Sequence, residues 1–179
     1  MKIHHLRNAT FVIESGLNNI LVDPMLSGKG QLPTFTHFRH TPERNPIVAL
    51  PENALQILDK VTLCLITHSQ KFGIELLTHT DHLDNPGKSF LKKNNIPVVC
   101  RKQDAAYMGK NGIYVESKLN YWQTEKLLGG EIITIRQDMV IAGCTILWQM
   151  VQGFSFNFRM SLRYTLVEIL FLQMMLSGH

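Results

Sequence analysis

The sequence predicts a single domain of the α/β class, and three observations favour that class. Residues 61–67 form a near-continuous apolar run, which is typical of a strand buried on both faces of a sheet. Segments with strand character alternate with short segments of helical character, as they do in α/β proteins. The chain has 179 residues, 45% of them hydrophobic and 18% charged, so it suits one domain and is too apolar to be disordered.

The first part of the chain predicts a β-hairpin followed by a long loop. Turn residues at 15–19 separate two strand-forming segments at 9–14 and 20–22. Asp23-Pro24 ends the second strand, because the residue before a proline is displaced from helical geometry. Residues 27–51 contain two glycines and four prolines and predict a loop. Long ordered loops in compact domains often border a functional site.

Short helices and strands then alternate. Leu55 and Leu58 have helical spacing. Asn85 is the predicted N-cap of the next helix and Pro86 its first residue. The predicted helices cover 51–60, 85–93 and 103–110, and the predicted strands cover 61–67, 96–100, 113–115 and 131–135.

A cluster of histidines and aspartates follows the apolar strand. Residues 78–84 contain His79, Asp81, His82 and Asp84. Imidazole and carboxylate groups are ligands of zinc, manganese and iron in proteins. We therefore predict a site for a divalent transition metal, with zinc as the first choice and manganese or iron as alternatives. A polar loop with two chance histidines is the competing interpretation.

The segment Thr78-His79-Thr80-Asp81-His82-Leu83-Asp84 resembles the His-x-His-x-Asp-His-x-Asp signature of metallo-β-lactamase-fold hydrolases. Residues 7–11, 20–26, 44–46 and 50–51 are similar to the branch that includes the ascorbate-6-phosphate lactonase-like proteins. The resemblance covers residue 1 to about 136. It implies an αββα sandwich with a one- or two-metal site at one edge.

The resemblance also implies roles for individual residues. His79 corresponds to the second metal-binding histidine, Asp81 to the metal-binding aspartate, His82 to its neighbouring ligand and Asp84 to the trailing acid. Asp81 is further expected to orient the attacking water, which makes it the candidate catalytic residue.

A first histidine ligand is expected at the end of the apolar strand. Leu65-Ile66-Thr67-His68 resembles the usual approach to that ligand, and excising residues 69–77 would restore the family spacing. We therefore interpret residues 69–77 as an insertion and His68 as the first ligand. Whether His68 still reaches the metal beside this insertion is left open. Asp23 and Asp84 are candidates for orienting a ligand from outside the coordination sphere.

The resemblance ends in the second half of the chain. The family pattern places His-Gly after the strand at 132–135 and Gly-Asp-Thr later, and neither is present. Asp138 is expected to be a turn residue before a strand. We interpret residues 1–136 as family-like and residues 137–179 as a divergent tail, which leaves the sandwich incomplete at its C-terminal half. Reverse translation of this part of the chain with suitable codons, read in a shifted frame, restores both motifs. We therefore hypothesise that the reading frame is disrupted near residue 138 and again near residue 160.

The composition and net charge indicate which binding partners and which cellular compartment to expect. Three widely spaced cysteines without a CxxC motif, and no apolar stretch of membrane-spanning length, predict a soluble cytoplasmic protein without a membrane partner. The net charge of +4 suits a small, anionic substrate. The basic residues at 88–102 have no interleaved aromatic residues, so nucleic-acid binding is not favoured. An uncovered sheet edge makes self-association an open expectation.

The leading functional interpretation is a metal-dependent hydrolase. A metal-bound hydroxide would attack a small ester, lactone or phosphate-bearing substrate. The alternative is a truncated or degenerate member that is not catalytic and binds metal weakly or not at all. The number of protein ligands separates the two, because a hydrolytic metal ordinarily has at least three.

Overall fold

The computed structural model describes residues 2–34, 43–67, 69, 80–120, 123–126, 132–141, 148–157 and 163–165. The chain divides into two compact units, Met1–Lys118 and Leu119–His179. The interpretation of residues 137–179 as a divergent, frame-disrupted tail stays a prediction.

The first unit is built on a six-stranded mixed sheet. Its strands, in order across the sheet, are β1 (Lys2–Arg7), β2 (Thr10–Ser15), β3 (Asn18–Val22), β4 (Leu63–Ile66), β5 (Val98–Arg101) and β6 (Val115–Leu119). The helices are α1 (Ala54–Leu58), α2 (Asn85–Lys93) and α3 (Lys102–Lys110). Strands β1 to β3 are antiparallel, whereas β3, β4 and β5 run parallel with helices in their connections. The predicted α/β class is confirmed.

The predicted hairpin is confirmed and is tighter than expected. Ser15 pairs with Asn18, so the loop consists of Gly16 and Leu17 alone. Gly16 has a φ of 56°, a conformation that glycine adopts without a Cβ clash. Strand β3 therefore begins at Asn18, two residues before the predicted start.

The core of the first unit is formed by buried residues of β1 to β5 and of the three helices. All four residues of β4 are buried, as predicted for a strand covered on both faces. Cys64 and Cys100 belong to this core. Burial raises the pKa of Cys100 to about 12 and raises the pKa of Cys64 well above its usual value. Both thiols therefore stay protonated at neutral pH; Cys144 lies outside the described residues.

The N-cap of helix α2 lies one residue earlier than the sequence predicts. Its N-cap is Asp84, whose Oδ1 accepts a hydrogen bond from the Gly87 amide at 2.8 Å. The prediction of Asn85 as N-cap was wrong, although asparagine and aspartate cap equally well. A tertiary contact decides between them, because Asp84 Oδ2 also accepts from the Ser27 amide at 2.6 Å. None of the helices in the described ranges has the length and apolar character needed to cross a bilayer.

Gly87 allows α2 to dock against the residues that follow β3. A Cβ atom at this position would lie 2.0 Å from the Pro24 carbonyl oxygen, which is backbone and cannot turn aside. We expect Gly87→Ala to lower the free energy of unfolding by about 2–3 kcal/mol, as overpacked sites do. Gly109→Ala is the matched control, because Gly109 is also helical and has nothing within 4 Å of the added Cβ. Chemical denaturation followed by circular dichroism should show Gly109→Ala unchanged or slightly stabilised; equal losses would contradict the expectation.

The second unit contains a four-stranded antiparallel sheet in the order β10-β9-β8-β7. Its strands are β7 (Thr124–Lys126), β8 (Ile132–Ile141), β9 (Trp148–Asn157) and β10 (Arg163–Thr165). The strand predicted at 131–135 is the first half of β8. The expectation that Asp138 lies in a turn was wrong, because the β8–β9 pairing continues through it and pairs it with Val151.

Candidate metal centre

Polar residues collect where the parallel strands of the first unit end. The registers of β3 with β4 and of β4 with β5 place Asp23, Thr67 and Arg101 at neighbouring strand ends. The segment that carries Asp81 and His82 lies between β4 and α2. In α/β sheets, ligands bind outside the carboxyl ends of the parallel strands. This edge is therefore where a functional site is expected.

Asp23 is the centre of the hydrogen-bond network at this edge. Its side chain is 1% exposed, and its Oδ1 accepts from the Thr67 amide at 2.8 Å. Its Oδ2 accepts from the Thr67 hydroxyl at 2.6 Å and lies 2.7 Å from His82 Nδ1. The residue has a φ of 45°, in the left-handed region that aspartate adopts more readily than most residues. Asp23 thus joins the end of β4 to the His82 ring.

The contact between Asp23 and His82 has the form that orients a metal-binding histidine. Such histidines commonly place one ring nitrogen against a carboxylate and present the other to the metal. The Thr67 hydroxyl, 3.1 Å from the same Nδ1, completes the contact. Thr67 was missed at the sequence level. The signal that could have identified it is its position directly after the apolar run and directly before His68.

Opposing effects set the charge state of His82. Burial by itself lowers the pKa of the imidazole, but the charge of Asp23, its hydrogen bond and the charge of Asp81 together raise the pKa above 6.5, while Arg101 opposes them. A metal ion must displace a proton from a histidine in order to bind it. The carboxylates that attract a cation at this site therefore also retain the competing proton.

The side chains of Asp81 and His82 fit a shared metal ion. Asp81 Oδ2 lies 3.6 Å from His82 Nε2. Ligand atoms on a tetrahedral ion with bonds of about 2.0–2.1 Å are roughly 3.3–3.4 Å apart. The observed separation is close to that value. Both side chains are partly exposed, so an ion can reach them from solvent.

Asp84 occupies a structural position beside the candidate ligands. It is buried, caps α2 and accepts from the Ser27 amide. The described contacts therefore give Asp84 a role in docking α2 against the loop after β3. Its predicted role in orienting a ligand stays a prediction.

Arg7 is a buried residue whose role the sequence did not reveal. Its Nε and Nη2 donate to the Met25 carbonyl oxygen at 3.0 and 2.7 Å, and Nη2 also donates to the Ser27 carbonyl oxygen. Burial lowers the pKa of Arg7, although the charge of Asp84 acts to raise it. Because Ser27 binds Arg7 through its carbonyl and Asp84 through its amide, this loop lies between two buried charges. A single arginine at the end of an ordinary strand gives no sequence signal of such a role.

The structure brings together only part of the predicted ligand set. Asp81 and His82 are adjacent, and Asp23 contacts His82. His68 and His79 lie outside the described residues. Among the residues that the structure does describe, no group of three or more histidine, cysteine, aspartate or glutamate residues is placed to hold a metal ion.

Comparison with known proteins places the fold. No protein-family model matches the chain. A curated relative, the UPF0173 protein YddR of Bacillus subtilis (strain 168), is 35% identical over 112 residues, or 63% of this chain and 41% of that protein. This chain therefore spans about two fifths of the length of that relative.

Two solved structures have the same architecture. The isothiocyanate hydrolase from Delia radicum gut bacteria aligns with a TM-score of 0.68 and 25% identity, over 88% of this chain and 58% of that one. A protein described as a possible metal-dependent hydrolase, from Veillonella parvula DSM 2008, aligns with a TM-score of 0.71 and 21% identity, over 92% of this chain and 61% of that one. This chain thus spans about three fifths of each. The predicted metallo-β-lactamase-like fold is confirmed.

Proposed function

We propose that this chain carries the metal site of a metal-dependent hydrolase, with His68, His79, Asp81 and His82 as ligands. The observation that carries the proposal is the placement of His82. Its Nδ1 lies 2.7 Å from the buried Asp23 carboxylate, and its Nε2 lies 3.6 Å from Asp81. The descriptions of the two structural neighbours, an isothiocyanate hydrolase and a possible metal-dependent hydrolase, support the same class of activity.

Each residue has a distinct task in this proposal. Asp23 fixes the orientation of His82 and favours the tautomer that presents Nε2 to the metal. Asp81 contributes a carboxylate ligand and orients the attacking water. The chemistry that a divalent ion supplies when bound is activation of that water near pH 7. Zinc suits a mixed set of imidazole and carboxylate ligands, and manganese and iron are the alternatives.

The proposed substrate is a small, anionic ester, lactone or phosphate-bearing compound. The net charge of +4 favours attraction of an anion, and the resemblance to the ascorbate-6-phosphate lactonase-like branch supports a lactone. The neighbour named as an isothiocyanate hydrolase adds isothiocyanates to the compounds worth screening. The cytoplasmic location, the lack of membrane and nucleic-acid partners and the tendency to self-associate stay predictions.

The first test is metal stoichiometry, measured by elemental analysis of the gel-filtered protein. We expect one or two tightly bound transition-metal ions in the wild type, and their loss in both His79→Ala and His82→Ala. His5→Ala is the matched control, since it removes an exposed strand histidine whose Nε2 contacts the Asn8 carbonyl oxygen. His5→Ala should retain the metal. A wild-type protein without metal, even after reconstitution, would contradict the proposal and favour the degenerate, non-catalytic alternative.

A further inference from the structure

A second buried carboxylate lies at the same edge of the sheet. Asp104, in the first turn of α3, is 0% exposed. Its Oδ1 accepts from the Ser69 hydroxyl at 2.8 Å and from the Ser69 amide at 3.3 Å. Its Oδ2 accepts from Arg101 Nε at 2.7 Å. Asp104 thus connects the start of α3 to the chain that leaves β4.

These contacts complete a pair of anchors on either side of one residue. Thr67 is bound through its amide and its hydroxyl to Asp23, and Ser69 is bound through the same two groups to Asp104. His68 is the only residue between them. Since consecutive Cα atoms are about 3.8 Å apart, anchoring both neighbours restricts the positions open to the residue that joins them.

We propose that Asp104 is a positioning residue of the metal site, which holds Ser69 and thereby restricts the positions open to His68, a ligand in the function proposed above. The inference rests on the metal site proposed above. It also explains how His68 could remain a ligand beside the interpreted insertion at 69–77. On that interpretation the insertion begins at Ser69, so the anchor to Asp104 separates position 68 from the inserted residues that follow.

The surroundings of Asp104 suit an anchor and not a further ligand. A metal-binding carboxylate must be reachable by the ion, whereas Asp104 is fully buried and has a donor on each oxygen. Arg101 balances its charge from a side chain that is 6% exposed. Within the described residues, Arg101 Nη2 has no hydrogen-bond partner. The guanidinium contacts Asp104 through Nε.

The test compares the zinc affinity of full-length variants by competition with a chelator. We expect Ser69→Ala to weaken zinc binding about tenfold and Asp104→Asn to weaken it about 10- to 100-fold, the range found for residues that orient ligands. Ser69→Ala leaves the Arg101–Asp104 pair intact, so it serves if Asp104→Asn does not fold. Thr62→Ala is the control, because it deletes a hydroxyl bonded to Asn19 at the opposite end of β4. It should bind zinc like the wild type.

A double-mutant comparison tests whether the effect passes through His68. We expect Ser69→Ala to cause no further loss of zinc affinity in a His68→Ala background, which retains three proposed ligands. A merely structural role would lower the melting temperature of the metal-free protein and leave zinc affinity unchanged. Unchanged affinity in Ser69→Ala, or an equal loss in the His68→Ala background, would overturn the inference alone. A wild type that binds neither zinc nor manganese nor iron would overturn the metal site itself.

Discussion

Replacing Arg7 by methionine is expected to lower the free energy of unfolding by about 3–5 kcal/mol. The guanidinium is buried and donates to the carbonyl oxygens of Met25, Ser27 and Val48. Methionine fills a similar space but donates nothing, so those acceptors lose their partner. Asp84 also loses its electrostatic interaction with the positive charge of Arg7. The loss is large because Met25, Ser27 and Asp84 are buried, so water does not readily replace the guanidinium at their oxygens.

Arg44→Met is the matched control for this prediction. Arg44 also donates two hydrogen bonds to backbone carbonyls, at 2.7 and 3.3 Å, but it is exposed. Water replaces those bonds when the side chain is shortened, so we expect a change below about 1 kcal/mol. Urea denaturation followed by far-ultraviolet circular dichroism measures both variants. Similar losses at Arg7 and Arg44 would show that burial of the guanidinium is not what stabilises the fold.

Asp23→Ala is expected to lower stability by about 3–5 kcal/mol and to weaken metal binding about 10- to 100-fold. The substitution removes the acceptor of both Thr67 hydrogen bonds and the partner of His82. Alanine also adopts the φ of 45° poorly. Asp23→Asn keeps the size and the backbone preference but loses the charge. We therefore expect Asp23→Asn to lose metal affinity with a smaller loss of stability.

The same pair gives stability a pH dependence in the metal-free protein. The raised pKa of His82 means that its protonated form stabilises the folded state. That contribution is fully present below about pH 6.5 and is lost as pH rises through the raised pKa. Asp23→Asn should reduce this loss. Asp59→Ala, at an exposed aspartate after α1, is the control and should change neither stability nor metal affinity; identical pH profiles in the wild type and Asp23→Asn would contradict the assignment.

Local patterns in the sequence were sufficient for most of the elements. The apolar run ending at Thr67 predicted a fully buried strand, and β4 is one. Turn residues after strand formers predicted the hairpin that closes on Gly16 and Leu17. Such signals succeed because burial on both faces and tight turns restrict which residues a position accepts. The residues that begin and cap each element were predicted less accurately, as the N-cap of α2 shows.

The cluster of candidate ligands at 79–84 was also identified from the sequence, because imidazole and carboxylate groups at short spacing are metal ligands in proteins. The hydrogen bonds that support these candidate ligands were only partly predictable from the sequence. Asp23 was identified as a candidate from its place at a strand end, but its two bonds to Thr67 join residues 44 positions apart. Arg7, Ser69 and Asp104 gave no usable signal. Apart from Arg101 beside Asp104, their partners are distant in sequence, and some are backbone atoms, which carry no side-chain identity.

The sequence by itself therefore determined the α/β class and the buried central strand, and it supplied the candidate metal ligands. The tertiary structure decided which partners the buried charged side chains contact. Asp84 rather than Asn85 caps α2 because the Ser27 amide is within reach of its second oxygen. Asp23 contacts Thr67 because parallel pairing brings the ends of β3 and β4 together, and the segment before α2 places His82 against the same carboxylate. Hydrogen bonds of this kind depend on geometry over long sequence separations, so only the folded chain specifies them.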